Sequence, residues 1–403
     1  MSSRFEVVAP PLVACEHTLT SISGLRAAGV SANIKASGLP DVALLVSDAP
    51  MSVGAVFTQN KFASPSVVVS RKHLEKSAGL ARAVVAVSGN ANACTGDEGL
   101  GNARAMADHA ARLVGCPSEQ VLVCTTGVIG VQLPMDRVHS GVDAAFAALA
   151  SDLEAGRRFH RAIMTTDAFP KEASESSEGL IAAGICKGAG MIAPNMATML
   201  AFVATDIALS QAEIQRMMPK IADASFNGVH VDSHPSTNDT FMVLSLPAAS
   251  QPKVDAQSIL TRVAKRLAWL IARDGEGATK VTTIVIRGAQ NEQAAKTIAR
   301  DIATSALVRT AIFGNDPNWG RFVSQVGNSH AVNSVFGLRC WIAGHLVFEH
   351  GQPAKFDRQV VSKAMQQESL ELVIELTEGS GSYELMTADL GYRYIEINAE
   401  YTT

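Results

Sequence analysis

The chain has 403 residues, with 34 Lys and Arg against 38 Asp and Glu, a formal net charge of −4 and a hydrophobic fraction of 47%. That balance gives no electrostatic reason to expect nucleic acid as a partner, and the longest apolar runs, such as Met196 to Val203, fall well short of a bilayer span. The length exceeds what one simple core accommodates, so two lobes or one large layered domain are expected.

The start, "MSSRFEVVAP", lacks the charged-then-apolar pattern of an export signal. Cys15, Cys94, Cys116, Cys124, Cys186 and Cys340 are scattered without a CxxC pair. They read as buried free thiols of a reducing compartment, so a cytoplasmic location is expected. The ten histidines show neither HxxxH nor HxH spacing, and no metal site is expected.

In chain order, "RAVVAVSG" and "QVLVCTTG" read as buried strands that end in polar, glycine-bearing loops. Between them "GLGNARAMADHAARLVG" has helical composition and stops at Gly115. "KEASESSEG", Lys171 to Gly179, reads as a polar loop. "TMLAFVATDIAL" reads as a strand, and "SQAEIQRMMPKIADASF" as a helix capped by Ser210 and limited in its later turns by Pro219. "DAQSILTRVAKRLAWLIARDG" spaces Ile259, Val263, Leu267, Leu270 and Ile271 along one helical face. "KVTTIVIRG" is predicted as a strand and "NEQAAKTIARDIATSALV" as one helix, with "LELVIEL" and "YRYIEINA" strand-like in the tail. The class is α/β with layered helices and sheets.

One junction carries chemistry. In "KGAGMIAPNMATMLAFVATD" a Gly/Pro/Asn-rich turn runs into an apolar strand, with Thr198 between them. A threonine hydroxyl is a poor nucleophile at neutral pH unless a base adjoins it. If the bond from Ala197 to Thr198 broke, the residue's own α-amine, with a reference pKa of about 7.7–8.0, would be that base. Oγ attack on the small Ala197's carbonyl would open the bond through an ester. Pro194 fixes one φ, Gly188 and Gly190 permit tight backbone geometry, and β-branching stiffens Thr198's χ1. Taken locally, Thr198 reads more readily as an ordinary strand residue than as a nucleophile.

The same stretch closely resembles the self-cleavage site of the glutamate N-acetyltransferase/ornithine acetyltransferase family of arginine biosynthesis. "GLRAAGVSANIK", "VSGNANACTG", "TTGVIG", "IMTTDAFPK", "STNDT", "DGEGATK", "GNDPNWGR" and "INAEYTT" resemble that family's blocks, in its order, over essentially the whole chain. The resemblance implies an αββα sandwich, similar to N-terminal nucleophile hydrolases but topologically distinct. It also implies self-cleavage between Ala197 and Thr198 into an α chain, 1–197, and a β chain, 198–403, associated as an α2β2 heterotetramer. Thr198 would be the nucleophile, with Thr126 and Gly127 as the oxyanion hole. Thr165 (in preference to Thr166), Lys187, Thr198, Glu276, Asn398 and Thr403 would contact substrate. The implied reaction moves acetyl from N-acetylornithine to glutamate with no cofactor, acetyl-CoA being an optional co-substrate.

Outside those roles, "SGNANACTG" lacks the ending of a phosphate loop, and "DPNWGR" offers Trp319 and Arg321 within a structural turn. Two segments depart from the family pattern: the short polar "EASESSEGLIAA", where a hydrophobic hairpin-like stretch is usual, and Ser233, His234 and Pro235 in "VDSHPSTNDT". They leave open a relative of specialised metabolism that transfers the acyl group of another N-acylated amino acid or hydrolyses it; an uncleaved amino-acid-binding protein is the alternative from another class.

Overall fold

Strands and helices alternate in the computed structural model, which describes residues 15–193 and 199–400. The strands are β1 (Leu25–Val30), β2 (Val42–Phe57), β3 (Leu80–Asn90), β4 (Val121–Val128), β5 (Lys171–Ser177), β6 (Leu180–Lys187), β7 (Leu200–Thr205), β8 (Val229–His230), β9 (Thr240–Ser245), β10 (Val281–Ala289), β11 (Arg339–Ile342), β12 (His345–Glu349), β13 (Gln352–Pro353), β14 (Ser369–Glu375) and β15 (Gly381–Ala388). The helices are α1 (Pro65–Lys76), α2 (Gly96–Val114), α3 (Met135–Ala147), α4 (Leu153–Ile163), α5 (Gln211–Asp223), α6 (Ala256–Arg273), α7 (Glu292–Thr304), α8 (Ala306–Phe313), α9 (Trp319–Asn328), α10 (Arg358–Ala364) and α11 (Tyr392–Glu400). They form two compact units, residues 15–227 with 234–271, and residues 228–233 with 272–400.

The larger unit is built on an eight-stranded sheet ordered β4-β3-β2-β9-β7-β6-β5, with β1 also paired to β2. Alternation along β2 sends Ala43 and Leu45 into one cluster with Phe159, Ala162 and Ile163 of α4. Val42, Leu44 and Val46 enter a second cluster with Met106 and Ala110 of α2 and Val138 and Val142 of α3. The sheet is therefore covered by helices on both faces. Phe159 and Phe202, both fully buried, meet edge to face at 5.5 Å between centroids. Burying such a side chain contributes about 1.5–3 kcal/mol.

The smaller unit has a seven-stranded sheet ordered β13-β12-β11-β14-β10-β15-β8. Its core joins Ile284 and Ile286 of β10 to Ile298 and Ile302 of α7 and Phe322 of α9. Trp319 packs against Phe348 at 5.2 Å, and Arg321 donates to the Leu307 carbonyl at 2.7 Å. "DPNWGR" thus anchors the start of α9 rather than making a free turn. This is the layered α/β fold that the sequence predicts.

Five expectations need correction. "KEASESSEG" is strand β5, hairpinned to β6 through Glu178 and Gly179 at φ 52° and 81°. Two left-handed residues make the tight turn that suits strand twist, and the polar composition suits β5's place at the sheet edge. "YRYIEINA" is helix α11: none of its residues is buried, so period-two alternation has no sheet face to serve. The helix predicted over "NEQAAKTIARDIATSALV" is two, broken where Ser305 turns extended and caps α8. Pro219 does not limit α5, which runs to Asp223 because Ile214, Met218 and Ile221 stay buried on one face. Ser210 caps that helix as predicted, with Glu213 completing a capping box. All six cysteines are free, but only Cys124, Cys186 and Cys340 are buried. Burial pushes the Cys124 and Cys340 thiols up to about 12.

A Cβ added at Gly29 of β1 would lie 2.0 Å from the Arg158 carbonyl oxygen of α4. Gly29→Ala is therefore expected to cost about 1–3 kcal/mol. A lowered thermal midpoint with an unchanged far-UV circular dichroism spectrum is the expected outcome; an unchanged midpoint would show that α4 gives way freely.

Candidate active site

The C-terminal ends of β4 and β6 and the starts of β7 and β9 bring most of the chemistry-bearing residues of the larger unit together. Lys187, the last residue of β6, pairs directly with Leu200, the first of β7. The segment between them, which holds the Ala197–Thr198 bond, therefore leaves and rejoins the sheet at one point. Ala197 and Thr198 themselves lie outside the described residues, as does Thr403.

Thr126 and Lys187 do meet. Lys187 Nζ donates to Thr126 Oγ1 at 3.1 Å, with both side chains buried. Next to them Gly127 stands at φ 134°, where a Cβ would come within 2.3 Å of the Gly89 backbone. A side chain is thereby excluded from Gly127. A hydroxyl polarised by a cation beside such a bare backbone can stabilise a developing oxyanion, so the chemistry this strand end suits is acyl transfer.

Lys187 belongs to a buried charge cluster that sequence reasoning missed. Asp167, its side chain wholly buried, accepts from Lys171 Nζ at 2.5 Å and from the Gly188 N–H at 2.7 Å through Oδ1. Its Oδ2 accepts from the Thr165 N–H at 2.9 Å. Burial alone would raise its pKa, but Lys171, Lys187 and the Gly188 N–H together hold it well below the usual carboxylate range. Thr165 is thus tied to the same carboxylate that adjoins Lys187. Lys35 completes the cluster, donating to the carbonyls of Pro40 at 2.7 Å and Met164 at 2.6 Å. Burial and the nearby Lys187 bring its pKa down to about 8, against the opposing pull of Asp41 and Asp167.

"STNDT" supplies two further residues. Asn238 Nδ2 donates to the Ala91 and Thr125 carbonyls at 2.7 and 2.8 Å, pinning the strand end just before Thr126. Asp239, fully buried, accepts the Met199 N–H through Oδ1 at 3.3 Å. The signal available beforehand was the charged and amide residues within two motif blocks, namely Asp167 and Lys171 in "TTDAFPK" and Asn238 and Asp239 in "STNDT".

In the smaller unit, Glu276 and Asn398 come together. Asn398 Nδ2 donates to Glu276 Oε2 at 2.9 Å and to the Tyr394 carbonyl at 3.0 Å. Asp389 accepts from the N–H groups of Thr279 and Lys280 at 2.8 and 3.1 Å, fixing the loop after Glu276. Burial, followed by the carboxylates of Asp232 and Glu276, raises the Tyr394 phenol. His230 stands between Thr387 Oγ1 at 3.1 Å and Ser233 Oγ at 2.7 Å, which gives the unusual Ser233 a structural partner.

With this geometry in place, comparison with known proteins assigns the chain. A model of the ArgJ family matches residues 26–403. The arginine biosynthesis bifunctional protein ArgJ of Nitratidesulfovibrio vulgaris is 41% identical over 392 residues, covering 94% of this chain and 99% of the relative. The protein of the same name from Rhodopirellula baltica is 42% identical, covering 94% and 96%. An ornithine acetyltransferase from Mycobacterium tuberculosis, solved with ornithine, is 34% identical over 45% of this chain and 96% of that one, at a TM-score of 0.40. The chain is a transferase of amino-acid biosynthesis, and it belongs to the ArgJ family. Its activity is glutamate N-acetyltransferase, in arginine biosynthesis.

Because Asp167 is more acidic folded than unfolded (about 3.9 for a free Asp), it stabilises the fold above that value. The contribution is lost as pH falls through it. Asp167→Asn strands Lys171 without its buried partner and is expected to cost about 3–5 kcal/mol at neutral pH. Urea unfolding should also show a flatter pH dependence for the variant between about pH 5 and 2. Parallel curves for variant and wild type would contradict the buried ion pair.

Proposed function

We propose that the chain cleaves itself between Ala197 and Thr198 and then transfers acetyl from N-acetylornithine to glutamate through an acetyl-threonine intermediate. The observation that carries this reading is the pairing of Lys187 with Leu200 beside Thr126 and Gly127. It returns the chain two residues after Thr198 to the strand end where an oxyanion would be stabilised.

In the first stage Thr198 Oγ attacks the Ala197 carbonyl carbon, the C–N bond opens, and water hydrolyses the ester. The released α-amine then serves as base. In the second stage Oγ attacks the acetyl carbonyl of N-acetylornithine while Thr126 and the Gly127 N–H hold the oxyanion. The α-amine passes the hydroxyl's proton to the departing ornithine nitrogen. The glutamate amine then attacks the acetyl ester and regenerates the threonine. Lys187 suits a substrate carboxylate and Glu276 with Asn398 an ammonium group, with Thr165 and Thr403 as the further contacts.

The sheet explains why the two pieces, 1–197 and 198–403, would stay together. β2 and β6 come from the first piece, β7 and β9 from the second, and the order β2-β9-β7-β6 interleaves them. Six residue pairs join β2 to β9 and six join β6 to β7. Cleavage would therefore leave one continuous sheet. An α2β2 assembly of these pieces, working in the cytoplasm, completes the proposal, and acetyl-CoA is an optional acetyl donor to be assayed apart.

On a denaturing gel the purified protein should run as two fragments dividing at Thr198 that co-elute under native conditions; a single full-length species would favour an uncleaved binding protein. Thr198→Ala should abolish both the split and acetyl transfer from N-acetylornithine to glutamate, and turnover at the wild-type rate would rule out this nucleophile. Thr126→Val should lower kcat by about 10²–10³-fold, with the split chain still folded. An unchanged kcat would remove Thr126 from the oxyanion hole.

A further inference from the structure

The ladder between β3 and β4 is regular from the pair Ala83 and Val121 to the pair Gly89 and Gly127. It loses its register at Asn90, which faces both Thr126 and Val128. Regular strand pairing therefore stops at Gly127 itself. Beyond that point one side chain does the holding. Asn238, buried just before β9, donates through Nδ2 to the Ala91 carbonyl at 2.7 Å, the Thr125 carbonyl at 2.8 Å and Thr125 Oγ1 at 2.9 Å. Its own placement is fixed. Oδ1 accepts the Thr237 hydroxyl at 2.5 Å, the Asn238 N–H donates to Ser236 Oγ at 3.1 Å, and the Asn238 carbonyl accepts the Thr240 hydroxyl at 3.1 Å.

The Thr125 carbonyl and the Thr126 N–H belong to one planar peptide, so fixing that oxygen fixes the plane from which Thr126 starts. On the far side, the Ala91 N–H donates to the Val128 carbonyl at 2.9 Å. Thr126 and Gly127 therefore lie between two held points. Asn238 reaches both, Thr125 directly and Val128 through Ala91, whose carbonyl also accepts the Thr125 hydroxyl at 2.7 Å. Gly127, at φ 134° and without a side chain, has no steric brake of its own. An oxyanion hole works only when its donors are aimed before the charge develops.

On the reading that Thr126 and Gly127 form the oxyanion hole, we propose that Asn238 is the positioning residue of that hole: its amide hydrogens, held on the Ala91 and Thr125 carbonyls, keep the Thr126 hydroxyl and the Gly127 N–H in their aim. The role calls for an amide. One nitrogen must donate to two carbonyls while the oxygen beside it accepts a hydroxyl, and a carboxylate of the same shape has no hydrogen to give. The clamp also crosses the chain division, since Asn238 follows residue 198 and the residues it holds precede it.

The test is a kinetic cycle on Asn238→Asp, Thr126→Val and the double variant, assayed for acetyl transfer from N-acetylornithine to glutamate. Turnover is counted per fragment that begins at Thr198, so incomplete splitting does not distort it. Asn238→Asp keeps the shape and the acceptor for the Thr237 hydroxyl but removes the amide hydrogens. Its kcat should fall about 10²-fold, with both KM values within about twofold of wild type and a wild-type circular dichroism spectrum. In the double variant the loss should fall well short of the product of the two single losses, because both act on one hole. A wild-type kcat for Asn238→Asp, a loss confined to KM, or losses that multiply in the double variant would each overturn the proposal. Should Asn238→Asp not fold, Asn238→Ala takes its place in the same cycle with the same outcomes. An unchanged kcat for Thr126→Val overturns the oxyanion-hole reading and this inference with it; a slowed Thr126→Val beside an unaffected Asn238→Asp overturns this inference alone.

Discussion

A single buried carboxylate organises the strand ends of the larger unit. Asp167 has no access to solvent, and burying a lone charge is prohibitive. It is sustained by Lys171 and Lys187 and by backbone N–H groups at Thr165 and Gly188. The arrangement fixes more than itself. It orients the end of β6, where Lys187 reaches Thr126, and it anchors the first residue of the segment running towards Thr198. Lys35, its pKa brought down to about 8 chiefly by burial, shares the field of Asp167 and Lys187. The carboxylate-bearing substrates proposed for this site would meet cationic side chains already desolvated and placed.

The second organising fact is topological. The strands that follow residue 198, β9 and β7, are inserted side by side between β2 and β6, which precede it in the chain. The backbone hydrogen bonds of β2 to β9 and β6 to β7 cross the division, and the apolar cluster beneath α4 draws on both sides of it. Strand pairing and burial are noncovalent and indifferent to one missing peptide bond. The strand order thus makes a new N-terminus compatible with a rigid scaffold.

Much of this was legible in the residues themselves. β3, β4, β10 and β14 announce themselves as apolar β-branched runs, and α2 and α5 carry their own stop and start signals in Gly115 and Ser210. For β5 and α11, solvent exposure is what misled sequence reasoning. β5 is polar because it is a sheet edge, and α11 alternates like a strand although no residue in it is buried. Thr126, Gly127 and Lys187 were found through their motifs, and the structure adds the contact between the lysine and the threonine. Asp167, Asn238 and Asp239 were missed because a carboxylate's role depends on its burial and on partners brought in by folding. Asp167 is held below the usual range and Asp239 above it, yet nothing in "TTDAF" or "STNDT" marks the two as opposites.

The account rests on acetyl passing through one hydroxyl. The most direct measurement is peptide mapping by mass spectrometry of enzyme mixed with N-acetylornithine in the absence of glutamate. The account predicts one acetyl group on the peptide that begins at Thr198, which disappears when glutamate is added. An acetyl group carried on any other residue, or none at all while transfer to glutamate proceeds, would contradict it.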